Sequence, residues 1–328
     1  MAGERRHRIL TGAPGIRIHA AEQGEGPLVL FVHGFPEGWH AWHHQLTAVA
    51  DAGFRGVAID VRGYGRSSKP TTIDSYRMLD HVDDNLGVVA ALGEQSAIIV
   101  GHDWGAPIAC NSALLRPDVF RAVAMLSVPY SPRGSRPPLE KMYALVDADH
   151  EFYMHYFQEP GRVEAEIEPD VRGWLWGMYL LASGNRPAAS ADFAAIPRGT
   201  RMRDGFPIEP SDPADYPEWL PRHEFDAIVE AFEYTGLTGP LNRYRNLDPD
   251  WHDLAAYAGQ PIEVPALFIG GEFDGPTVWG GRAISRFPET LPRLTGAHIL
   301  PGCGHWVQQE RPDDVNRLLV EFLTGLAS

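Results

Sequence analysis

The stretch Ile98-Ile99-Val100-Gly101-His102-Asp103-Trp104-Gly105 constrains this 328-residue chain more than any other. The apolar run Ala97–Val100 reads as a buried strand, and the small-residue run from Trp104 to Leu115 reads as a helix. Between them, Gly101-x-Asp103-x-Gly105 has the spacing of a nucleophile elbow, a sharp strand-to-helix turn that lifts one side chain above a parallel sheet. The lifted residue is usually a serine, and here it is an aspartate. A carboxylate has an ordinary pKa of about 3.9, so it is already an anion at neutral pH. It needs no base to attack an electrophilic carbon and form an ester with the protein. An Asp that merely caps the following helix is the bland alternative, and the flanking glycines count against it.

The pattern around the elbow fits that placement. Strands are expected at "GIRIHAAEQ", Leu28–Val32, Phe54–Ile59, Ile98–Val100, Arg121–Val128, Ala266–Ile269 and Ala297–Leu300. Helices are expected at Trp39–Ala50, from about Ser75 to Leu92 with Ser75 at or near its cap, and at Val315–Leu323. Such βαβ alternation predicts an open, mostly parallel sheet wrapped by helices. It is interrupted after Pro129. Helical segments follow around Leu139–Phe157, Val171–Leu181 and Arg222–Phe232, with a Pro- and Gly-rich excursion at about 184–221 that reads as a lid. The expected division is a core of residues 1–130 and 251–328 and a mainly helical cap of 131–250.

Ligands of such a sheet bind at the carboxyl ends of its strands, so residues there are the candidates for chemistry. "LPGCGHWVQQERP" puts His305 in a loop just after a strand, and His is suited to activating water near pH 7. "ALFIGGEFDGPT" puts Asp274 at another strand end to orient that imidazole, with Glu272 as the competing carboxylate. Nucleophile, acid, His is the chain order of an α/β-hydrolase. "VLFVHGFPEGW" supplies a loop whose backbone could face Asp103, which nominates the Phe35 and Trp104 amides as an oxyanion hole. The Phe35–Pro36 bond is expected trans on frequency, cis being the form that tight turns at sites adopt.

His33-Gly34-Phe35-Pro36, Gly101-His102-Asp103-Trp104-Gly105 and Gly304-His305-Trp306 together resemble the soluble epoxide hydrolases of the α/β-hydrolase superfamily, in particular the bacterial and plant-like members. "HYFQEPG" and "LNRYRN" are similar to that family's two lid motifs, each carrying a tyrosine that holds the epoxide oxygen. By this match the pair is Tyr156 and Tyr244. The resemblance runs from about Leu28 to Pro312. It implies an α/β-hydrolase fold with an inserted helical cap and hydrolysis of an epoxide to a vicinal diol through an ester on Asp103. It also implies catalytic Asp103, Asp274, His305, Tyr156 and Tyr244, and a substrate site of Phe35, Pro36, Trp104, Tyr156 and Tyr244. No cofactor is implied. The long excursion in the lid leaves substrate shape open.

Two alternatives remain at this stage. A dehalogenase on the same fold would use Asp103 to displace halide, but it favours a lid Trp where this chain has tyrosine. A binding protein without turnover would not need Asp103, Asp274 and His305 together. A net charge of -15 argues against nucleic acid as a partner, since phosphate binding needs clustered Lys and Arg. The two cysteines, Cys110 and Cys303, are too far apart in sequence for a zinc or disulfide framework and read as buried thiols. The start "MAGERRHRIL" lacks an apolar stretch typical of a leader, and no run approaches a membrane span. The expectation is a soluble, cytoplasmic protein whose partner is a small-molecule epoxide; a homodimer is a guess. His40 and His44 have the i, i+4 spacing of metal ligands, but no third ligand accompanies them, so no metal is expected. Glu164, Glu166 and Glu168 read as a solvated face.

Overall fold

The computed structural model describes residues 4–186 and 194–326. Ten strands are found among them: β1 (Arg6–Thr11), β2 (Arg17–Gln23), β3 (Leu28–Val32), β4 (Arg55–Ile59), β5 (Ala97–His102), β6 (Phe120–Leu126), β7 (His150–Phe152), β8 (Ala195–Pro197), β9 (Ala266–Gly271) and β10 (Leu294–Leu300). Eight form one sheet in the order β1-β2-β4-β3-β5-β6-β9-β10, and β7 pairs with β8. β4 through β10 in that sheet run parallel, while β1 and β2 add an antiparallel edge.

Burial explains the strand sequences. β3, β5 and β9 are buried at every position, because helices cover both faces of a parallel sheet. β1 is exposed at five of its six positions, so RHRILT carries no apolar signal and its strand is absent from the sequence reading. Helices His43–Asp51 and Pro312–Gly325 cover one face, and Met78–Ala91 and Gly105–Leu115 the other. Both cysteines are buried and free.

The strand order places the site. The chain leaves β3 outward to β4, then crosses back to β5, so the loops after β3 and β5 diverge at a topological switch point. Open α/β sheets bind ligands at this position. The loop after β3 carries Phe35 and the loop after β5 carries Asp103.

Between β6 and β9 lies the cap. Its main helices are Val171–Ala182 and Arg222–Thr235, with shorter ones at Tyr153–Tyr156, Arg162–Ile167, Thr238–Tyr244 and Leu247–Asp253. The last crosses residue 250, where the core was expected to resume. The helical segments expected around Leu139–Phe157 are the short pieces Pro138–Met142, Tyr143–Leu145 and Tyr153–Tyr156, with strand β7, absent from the sequence reading, between the last two. The excursion at 184–221 falls partly outside the described residues, at 187–193.

Other local expectations are corrected. Ser75 lies in a 3-10 turn and its hydroxyl pairs with Thr72; the helix begins at Met78 after Arg77. Glu164 and Glu166 are not solvated: Glu164 is buried against Arg245 at 2.9 Å, and Glu166 accepts from Tyr156. Glu168 does stay exposed.

Candidate active site

Asp103 sits on the turn between β5 and the helix Gly105–Leu115 with φ of 48°, a left-handed conformation that costs a non-glycine residue about 1–3 kcal/mol. The neighbouring glycines show why the turn can close. A Cβ on Gly101 would lie 2.0 Å from the Gly105 carbonyl oxygen, and one on Gly105 would lie 1.9 Å from that of Val32. Gly34 clears the other side, since its Cβ would come within 2.4 Å of the Asp103 side chain.

The carboxylate is held asymmetrically. The Phe35 amide donates to Asp103 Oδ1 at 2.8 Å, and the Trp104 amide also donates to this carboxylate. Both nominated oxyanion-hole amides therefore converge on one group. The Phe35–Pro36 bond is cis, not trans. Asp103 Oδ2 lies 3.5 Å from His305 Nε2. His305 Nδ1 lies 2.8 Å from Asp274 Oδ1, and Asp274 is fully buried. Glu272, the competing acid, is exposed and accepts from the Gly302 amide.

The acid has its own support. Thr277 donates to Asp274 Oδ2 through its hydroxyl at 2.6 Å and its amide at 3.2 Å. Ser127, at the end of β6 with φ of 69°, puts its hydroxyl 3.1 Å from His305 Nδ1. On the other side His102 Nε2 lies 2.8 Å from the His305 carbonyl, while His102 Nδ1 lies 2.9 Å from Glu37. Glu37 also accepts from the Gly34 amide and from Gln308, so one buried carboxylate ties the Phe35 loop to the His305 loop. Glu37 and His102 both lie inside motifs quoted above, but sequence assigned them no role. Ser127 and Thr277 have no sequence signature of their own.

Electrostatics follows from these distances. Burial opposes a charge on His305, but Asp274 and then Asp103 favour it more, and its pKa rises to about 9. Burial raises the Asp103 carboxyl, against the pull of His305 and the two amides. Asp103 and His305 thus face each other as a buried ion pair whose members depend on one another.

The two lid tyrosines separate. Tyr244 lines the cleft above Asp103, packed edge-on against Trp104 and Phe35 with ring centroids 5.1 and 5.4 Å away. Tyr156 does not line it. Its hydroxyl donates to Glu166 at 2.6 Å and the Arg162 guanidinium stacks 3.7 Å from its ring, inside the cap. The residue that lines the cleft is Tyr153, with its ring 6.1 Å from that of Tyr244. Burial and the Asp103 charge push both the Tyr153 and the Tyr244 hydroxyls well above their usual value, so each stays a neutral donor. The sequence YMHY offers two tyrosines three residues apart, and only the packing of Tyr156 beneath Arg162 and Glu166 tells them apart. Pro36 is also absent from the cleft lining; its carbonyl accepts from Tyr179. The cleft is small, about 30 Å³, and is lined further by Met178, Trp279 and Trp306.

A family model for the alpha/beta hydrolase fold matches residues 27–195. Epoxide hydrolase B of Mycobacterium tuberculosis is 41% identical over 355 aligned residues, covering 98% of each chain. Among solved structures, an epoxide hydrolase from an endophytic Streptomyces superposes with a TM-score of 0.94 at 57% identity, covering 98% of this chain and 96% of that one. Epoxide hydrolase A from Mycobacterium thermoresistibile superposes with a TM-score of 0.90 at 39% identity, covering 98% and 99%.

Proposed function

The chain belongs to the epoxide hydrolases of the α/β-hydrolase fold, and from that premise we propose that it adds water to an epoxide through an ester on Asp103, giving a vicinal diol. One observation carries the reading. A carboxylate stands on the elbow with one oxygen on the Phe35 amide and the other facing His305, beneath two neutral phenols.

The two oxygens have different tasks. Oδ1 is anchored in the hole, so Oδ2 attacks the epoxide carbon. As the ring C–O bond breaks, Tyr153 and Tyr244 hydrogen-bond the oxygen that becomes an alkoxide; one of them gives it a proton, and the phenolate left behind takes up the proton that the His305 imidazolium then releases. The intermediate is an ester whose carbonyl oxygen, Oδ1, already sits on the Phe35 amide, with the Trp104 amide beside the same group.

Ester formation also switches the base. It removes the negative charge 3.5 Å from His305, and that charge is one of the causes holding the imidazole near 9. The imidazole pKa falls, and a neutral His305 becomes available only once there is an ester to hydrolyse. It takes a proton from water, and the resulting hydroxide attacks the carboxyl carbon. The tetrahedral oxyanion on Oδ1 is stabilised by two preorganised donors, each typically worth about 3–4 kcal/mol. On collapse the His305 imidazolium gives its proton to the departing oxygen, so the diol leaves with the old Oδ2; Asp103 keeps an oxygen from water and returns that oxygen's proton to His305.

Tyr153 replaces Tyr156 in this scheme, because its ring reaches the cleft and that of Tyr156 does not. Asp274 orients His305 and Phe35 walls the site, whereas the Trp104 ring, like Pro36, is absent from the cleft lining and packs behind Tyr244. Turnover of an aryl epoxide such as styrene oxide, followed by chromatography of the diol, tests the reading. Diol that disappears in Asp103→Ala supports it; a folded wild-type chain that forms no diol from aryl or alkyl epoxides overturns it.

A further inference from the structure

Away from the catalytic cleft, the cap helix Arg222–Thr235 meets the core beside the turn Trp39–Trp42 and the helix His43–Asp51. Three potential metal-ligand residues converge there. One nitrogen of His40, one of His43 and one carboxylate oxygen of Glu224 all lie within 4.8 Å of one another. The pair at this seam is His40 and His43, not the i, i+4 pair His40 and His44, and the third group comes from far along the chain. This is why sequence spacing gave no sign of it.

We propose that His40, His43 and Glu224 form a binding site for a borderline divalent cation of the zinc class, which bridges the cap to the hydrolase core. The ligand set is two imidazoles and a carboxylate, a combination such ions accept, with a coordination position left for water or a further side chain. His44, whose ring lies 3.8 Å from that of His43, and His223, within electrostatic reach of His40, are the nearest candidates for that position.

The orientation of His43 is that of a metal ligand. Its Nδ1 lies 2.9 Å from the His40 carbonyl oxygen, so the Nδ1–H donates to the backbone and the Nε2 lone pair faces outward. Metal-binding histidines are commonly fixed by a hydrogen bond of this type. Nε2 lies 3.6 Å from Glu224 Oε1. Tetrahedral ligands at zinc distances stand about 3.3 Å apart, so this edge is nearly in place. The His40 nitrogen lies within 4.8 Å of the other two and must close in, and its ring, stacked 4.6 Å from that of His43, is only half-buried and can turn. The nearby Arg5 guanidinium donates to the His43 carbonyl at 3.1 Å and so pairs with the peptide; Glu224 supplies the balancing negative charge.

The position gives such a bridge a consequence. Adjacent to the cluster the seam holds a cavity of about 320 Å³ between Trp39, His40 and Tyr64 on the core and Ile228 and Ala231 on the cap helix. Apolar packing is incomplete there, so a coordinate link would add a constraint that side chains do not supply.

The test is calorimetric titration of the chelator-washed protein with zinc chloride, paired with thermal unfolding in its presence. Wild type should bind one zinc per chain saturably and unfold at higher temperature with zinc. His43→Gln and Glu224→Gln, with metal-free unfolding unchanged, should each weaken binding about tenfold or more and lose the thermal shift. No saturable binding, or binding that survives His43→Gln, would overturn the proposal. Wild-type affinity in Glu224→Gln would overturn the bridge, because it would leave the ion on the core alone.

Discussion

Replacing tyrosine by phenylalanine at three positions separates catalytic contact from cap packing. A hydrogen bond to a charged oxygen is worth about 1.5–3 kcal/mol. Losing one donor to the developing alkoxide should therefore slow ring opening by about 10- to 150-fold. Tyr153→Phe and Tyr244→Phe should each show this loss, with activity remaining because the other phenol stays. The double variant should lose the product of the two effects or more. Tyr156→Phe should behave in the opposite way. Its hydroxyl is one of three groups donating to Glu166, the others being the Met202 and Arg203 amides at 3.3 and 2.7 Å. Removing it leaves a buried carboxylate with fewer partners, a cost in folding stability of about 1–3 kcal/mol. Ring opening should be unchanged. The assay is a single turnover with excess enzyme, acid-quenched at intervals, following the mass of the Asp103 peptide. Thermal unfolding of each variant runs alongside. If Tyr156→Phe slowed ester formation as much as Tyr153→Phe while remaining folded, the assignment of the phenols from cleft geometry would be refuted.

Further outcomes follow from the same distances. In His305→Gln, attack should proceed and hydrolysis stall, so intact-mass spectrometry with substrate should show a stable adduct; a folded variant without one would contradict the order of steps. In Asp103→Asn, the His305 pKa should fall from about 9, because the opposing charge is gone, and imidazole proton resonances followed against pH would show it. The raised His305 pKa also ties stability to pH. Its contribution is fully present below the ordinary imidazole value of about 6.5 and is lost as pH rises through 9. The unfolding-temperature gap between wild type and His305→Gln should accordingly shrink between those values. Gly105→Ala should fail to fold or lose turnover entirely, since its Cβ would sit 1.9 Å from the Val32 carbonyl oxygen; soluble expression with normal activity would contradict the elbow geometry.

What the chain discloses in one dimension follows from how local each feature is. Buried parallel strands announce themselves as apolar runs, and the elbow needs glycines at fixed spacing, so β3, β5, Asp103, Asp274 and His305 could be placed before any coordinates. β1 could not, because an exposed edge strand such as RHRILT is held by pairing with β2 and by ion pairs such as Arg8–Glu22, which have no periodicity. Tyr153 and Tyr156 occupy one short turn, and their difference lies in partners supplied by residues 162, 166 and 202. Glu164 looked solvated because its partner, Arg245, lies far along the chain. The same distance in sequence hid the meeting of His40 and His43 with Glu224. Features fixed by neighbours within one element were open to reading, and features fixed across elements were not.

The covalent role of Asp103 is tested most directly by one turnover in water labelled with oxygen-18, using excess enzyme and analysing both the diol and the Asp103 peptide by mass. Attack by Oδ2 followed by hydrolysis at the carboxyl carbon predicts unlabelled diol and one heavy oxygen retained in Asp103. Label in the diol with an unlabelled Asp103 peptide would mean that water opens the ring directly and that the carboxylate acts only as a base.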